Sequence, residues 1–105
     1  MALAITKENL DKINKSSVPV ILKVHAAWCG PCQQMKPIFA ELEKEMSPAY
    51  LFAELNVDDA RDVSIHYGIT SVPTLLFFKN GEIVGRETGY MGKDALVDKI
   101  NEYLG

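Results

Sequence analysis

A chain of 105 residues with 48% hydrophobic content is long enough for one domain, residues 1–105, with a core that needs neither metals nor several disulfides. A formal net charge of −3 without a basic tract speaks against nucleic acid as a partner, and no apolar stretch approaches the roughly 20 residues that span a bilayer. Two cysteines are too few for a secreted disulfide framework, and the start Met1-Ala2-Leu3-Ala4-Ile5-Thr6-Lys7-Glu8 lacks the pattern of a signal peptide, so a reducing, cytoplasmic setting is expected.

In chain order, Thr6 is placed to cap a short helix through about Lys15, with Leu10 and Ile13 on its inner face. The run from Val18 to Ala26 reads as a central strand, apolar on both faces except at Lys23. From Gly30 or Pro31 to Met46 the pattern is helical, with Met35, Ile38, Phe39, Leu42 and Met46 on one side. Pro31 suits a first turn, Pro37 is expected to kink the helix, and Ser47-Pro48 ends it. Tyr50 to Val57 is a second strand. Asp58 or Asp59 is placed to cap a helix through Tyr67, which Gly68 ends. Thr74–Lys79 and Glu82–Thr88 read as a hairpin across Asn80-Gly81, and a last helix runs from about Gly92 to Tyr103. Strands that alternate with helices and then form a hairpin predict an α/β fold, a mixed sheet with helices on both faces.

The chemistry concentrates in Trp28-Cys29-Gly30-Pro31-Cys32, at the junction of the first long strand and its helix. There the first sulfur meets unpaired backbone N–H groups and the positive end of the helix dipole, which favour the Cys29 thiolate. That thiolate can attack a disulfide. Cys32, one turn on, can then attack the mixed disulfide and release the reduced product. Gly30 and Pro31 keep the turn tight, and Pro31 pre-sets a helical φ. Zinc shares the Cys-x-x-Cys spacing, but a structural zinc site wants four ligands, and only His25 and His66 are left to complete one, so no metal is expected.

The same five residues, with Pro37, Val72-Pro73-Thr74, Phe78-Lys79-Asn80-Gly81 and Gly89, resemble the thioredoxin family over almost the whole chain. The resemblance implies a thioredoxin fold and a dithiol–disulfide oxidoreductase that reduces protein disulfides. Its partners would be disulfide-containing proteins and a thioredoxin reductase-like electron donor. It would act as a monomer, with the Cys29–Cys32 disulfide as its redox group and no other cofactor. It also implies that Pro73 is cis and lies against the cysteines, where the loop around Val72 can pair with an extended substrate; the sequence alone shows only a loop proline. Trp28 would belong to a flat apolar surface around an exposed sulfur, with Gly89 permitting close approach, although Trp28 could simply pack and Gly89 simply turn.

Two positions depart from the family pattern. Where thioredoxins usually carry a buried aspartate, six residues before the first cysteine, this chain has Lys23; where a nearby lysine is usual, it has Glu54. The pair looks charge-swapped, with Glu54 taking over the proton transfer that activates Cys32 and Lys23, if charged, also favouring the thiolate. In the alternative, Lys23 snorkels to the surface and Glu54 is a solvated strand residue. His25 replaces an aromatic residue and is expected to pack, and His66 to lie on the surface or at a helix end. Two rival functions share the frame: an oxidase or isomerase, and a non-catalytic module that binds through Trp28, Val72-Pro73 and Gly89.

Overall fold

The computed structural model describes residues 2–105; Met1 lies outside them. A five-stranded sheet organises the chain, in the order β1-β3-β2-β4-β5. Its strands are β1 (Leu3–Ala4), β2 (Val20–His25), β3 (Leu51–Asn56), β4 (Thr74–Lys79) and β5 (Glu82–Thr88). β1 and β2 run parallel to β3, while β4 is antiparallel to both β2 and β5. The sheet is mixed, as expected, and β2 lies at its centre.

Alternation along β2 divides the core into two layers, because successive side chains point to opposite faces. Val20, Leu22 and Val24 join Ile13, Ala53, Leu55, Val63 and Phe78 on one face. Ile21 joins Met35, Phe39, Leu42, Phe52, Leu96 and Ile100 on the other. The second layer is closed by two helices, α2 (Gly30–Met46) and α4 (Lys93–Leu104), and the first by the shorter α1 (Asp11–Asn14) and α3 (Arg61–His66). On α2 the inward stripe is Cys32, Met35, Phe39 and Leu42, whereas Ile38 and Met46 are only partly buried. The helix continues through Pro37 without a break.

Several local expectations need correction. The first helix is not continuous: a 3-10 turn over Lys7–Asn9 precedes α1. Thr6 closes that turn through its backbone, its N–H donating to Asn9 Oδ1 at 2.7 Å. The two-residue β1 was not expected, because so short a strand shows no alternation. Neither Asp58 nor Asp59 caps α3; Ala60 holds the cap position without a side-chain bond. The final helix begins one residue later and ends one residue later than expected.

The hairpin matches its sequence signal, since Asn80 and Gly81 both have positive φ, 54° and 80°, as a tight two-residue turn requires. A register shift at Phe77/Phe78 puts Gly85 opposite Phe77. A Cβ at Gly85 would overlap the Tyr103 ring, which lies 4.9 Å from the Phe77 ring. We predict that Gly85→Ala lowers stability by about 1–3 kcal/mol through overpacking, read as a lower urea midpoint at unchanged slope. Gly30→Ala, with nothing within 4 Å of the added Cβ, serves as the control.

Candidate active site

β2 ends at His25, and Ala26-Ala27-Trp28 turns the chain into α2. Cys29 is the residue that caps the helix. Its backbone is extended (φ −92°, ψ 113°), and its sulfur accepts the N–H of Cys32 at 3.2 Å. A thiolate at that position would receive the same bond with a full charge as acceptor, which strengthens it. Pro31 occupies the first turn, where its missing N–H costs no helix bond.

Cys29 and Cys32 are joined as a disulfide with their Cα atoms 5.2 Å apart. Cys29 is 6% exposed and Cys32 2% exposed, packed with Ala26, Val57 and Val72. The expectation of an openly exposed sulfur is therefore too strong: only a sliver of Cys29 reaches solvent. It is still the more accessible of the two, consistent with attack by Cys29 and resolution by Cys32.

The loop before β4 presses against this pair. The Val72–Pro73 peptide bond is cis, as the resemblance implied; Ser47–Pro48 is cis as well, which no sequence signal indicated. The Pro73 carbonyl accepts the N–H of Gly89 at 2.8 Å, and Gly89 itself has φ 94°, a conformation that suits glycine. Neither peptide group of Val72 is taken up by another backbone group among the described residues. Trp28 does not pack away: it is 71% exposed, and its Nε1 donates to Asp58 Oδ2 at 3.0 Å. An open cleft of about 350 Å³ runs beside it, lined by Trp28, Val57, Asp58, Arg61, Ile65 and Val72. Asp58, expected as a helix cap, instead fixes the indole, a role that no local pattern marks because the two residues are thirty positions apart.

Behind the cysteines, on the α2 side of the sheet, Lys23 is buried. Its side chain is 2% exposed, with Nζ 3.9 Å from Glu54 Oε2 and 5.1 Å from the centre of the Phe39 ring. Snorkelling is therefore excluded for Lys23. The two residues are direct partners in the β2–β3 register. Burial pushes the Lys23 pKa down, and Lys36 adds to the effect, while the Glu54 carboxylate opposes it. His25 follows Lys23 on the same face of β2 and is half-buried. Burial lowers its pKa first, the Lys23 charge second. His66 lies exposed at the end of α3 against Tyr67, as expected.

A buried, vicinal cysteine pair at a helix N-terminus, faced by a cis-proline loop on a mixed α/β sheet, defines a thiol–disulfide oxidoreductase. The family model for thioredoxin matches residues 2–102. The chain is similar to a protein named thioredoxin from Rickettsia felis, 36% identical over 99% of this chain and 100% of that one. It is 42% identical to a probable thioredoxin-2 of Caenorhabditis elegans, over 90% of this chain and 65% of the relative. To a chloroplastic M-type thioredoxin of spinach it is 43% identical, over 86% of this chain and half of the relative. The chain belongs to the thioredoxin family.

Lys23 binds protons less tightly in the folded protein than in the unfolded chain, so its burial costs stability at every pH below its lowered pKa. That cost is relieved as pH rises from the lowered value towards 10.5. Lys23→Met, which fills a similar volume and leaves Glu54 with access to water, is expected to raise the unfolding free energy at pH 7 by about 1–3 kcal/mol. Urea titrations at rising pH should show the gain shrinking above the Lys23 pKa.

Proposed function

We propose that this protein reduces disulfides in other proteins and is returned to its dithiol form by a thioredoxin reductase-like donor in a reducing, cytoplasmic compartment. The observation that carries the reading is the cap at Cys29: the residue that would attack is the one whose sulfur already accepts a helix N-terminal N–H. Cys29 as thiolate attacks a substrate disulfide and forms a mixed disulfide, and one substrate sulfur leaves with the electron pair. Cys32 as thiolate then attacks Cys29, closing the Cys29–Cys32 bond seen here and expelling the second substrate sulfur. The two thiols carry both electrons, so this chemistry calls for no metal or organic cofactor.

Substrate positioning falls to Val72, Pro73, Gly89, Trp28, Gly30 and Pro31. The unpaired peptide groups of Val72 beside the sulfurs suit an extended substrate segment, and the exposed face of Trp28 gives it an apolar rest. Exposed Gly30 and Gly89 leave room for the approach, since a Cβ at either would meet nothing within 4 Å and the surface stays low.

Reduction of a generic protein disulfide with dithiothreitol as electron donor tests the reading without a specific reductase. The parent should catalyse it, Cys29→Ser should fall to the uncatalysed rate, and Cys32→Ser should stall as a mixed disulfide visible by mass spectrometry. A Cys29→Ser variant that keeps its biological role would point instead to a binding module.

A further inference from the structure

Glu54 sits between two strands that fix its position. Its carbonyl accepts the Ile5 N–H at 2.7 Å just beyond β1, and across β2 its side chain meets Lys23. The two side chains differ sharply in their access to solvent: 2% for Lys23 and 27% for Glu54. The pair thus joins a sealed amine to a carboxylate that touches water.

Its place relative to the cysteines follows from α2. Cys32 and Phe39 share the buried stripe of that helix, and Lys23 Nζ rests over the Phe39 ring. Long side chains on a helix lean towards its N-terminus, which is the direction of Cys32. Lys36, one turn beyond Cys32, is close enough for its charge to act on both Lys23 and His25. The pair therefore packs against α2 at Phe39, on the buried face of the helix that also carries Cys32.

Resolution needs a base there. Cys32 is 2% exposed, and its thiol must lose a proton before it can attack. An ammonium has three donors and no acceptor, whereas an ionised carboxylate only accepts. We propose that Glu54 is the proton acceptor for Cys32 in the step that releases the reduced substrate, and that Lys23 positions Glu54 for it. The Cys32 proton passes, directly or through one water, to the Glu54 carboxylate. The Cys32 thiolate attacks the Cys29 sulfur, the Cys29–substrate bond breaks, and its electron pair leaves on the substrate sulfur, which takes a proton from Glu54 or from water. Lys23 Nζ, 3.9 Å from Glu54 Oε2, holds the carboxylate in place through the step. The groups facing the pair are His25 on β2 and Lys36 on α2, and Asp59 beyond β3 acts on His25.

This proposal rests on Cys32 being the resolving thiol, which the Cys32→Ser trap tests separately. Stopped-flow traces that resolve formation and release of the mixed disulfide are recorded for the parent, Glu54→Gln, Glu54→Asp and Lys23→Met, each checked for fold by circular dichroism. Glu54→Gln should slow release at pH 7 by about 100-fold, with formation unchanged within about twofold, and release should then climb with pH as hydroxide replaces the base. Glu54→Asp should restore most of the rate. Lys23→Met, which keeps the carboxylate but loses its anchor, should slow release by about tenfold. Equal rates for parent and Glu54→Gln in both steps, equal slowing of both steps, or an Asp variant no better than Gln would each overturn the proposal, and Lys23→Met decides in the same way if the Gln variant does not fold.

Discussion

The hydrogen bond from the Cys32 N–H to the Cys29 sulfur joins the fold of this protein to its chemistry. A helix must satisfy its first N–H groups from outside itself, and serine, threonine, aspartate or asparagine usually does so. Here a cysteine takes that place, so the structural demand of α2 and the chemical demand for a stabilised thiolate fall on one atom. The core serves this arrangement. Met35, Phe39 and Leu42 hold α2 on the sheet below Cys32, and β2, flanked on both sides, aims the chain at the turn.

The surface around the pair divides its labour. On one side the cis-proline loop brings Val72 against the sulfurs and leaves its peptide groups open, while Pro73 itself is tied to Gly89. On the other, Asp58 holds the exposed Trp28 indole in place, so a large apolar face can stay in water without swinging freely. Beneath lies the pair of Lys23 and Glu54, a sealed amine against a carboxylate that touches water. Burying one ion is costly unless a partner stands opposite, and the parallel register of β2 and β3 supplies that partner.

Much of this was legible in the residues. The apolar run of β2, interrupted at Lys23, announced a central strand, Asn80-Gly81 the hairpin, and Pro31 with the Cys-x-x-Cys spacing the start of α2. The inverted charges at Lys23 and Glu54 could be paired because the family frame set the two strands side by side. What escaped depended on tertiary contacts. β1 owes its existence to pairing with Ala53 and Glu54, not to its own two residues. Asp58 looked like a cap because local propensity favours that role, but the indole thirty residues away claimed its carboxylate. The depth of Cys29 is set by the packing of Ala26, Val57 and Val72, three segments whose convergence no local pattern encodes.

The central claim is that the α2 N-terminus makes Cys29 the reactive thiolate. The direct measurement is the pH dependence of alkylation in the fully reduced protein, with the labelled cysteine identified by peptide mass spectrometry at early times. Label should enter Cys29 first, with a midpoint below the roughly 8.5 of an unperturbed thiol. Equal labelling of the two cysteines, or a Cys29 midpoint at or above that value, would contradict the account.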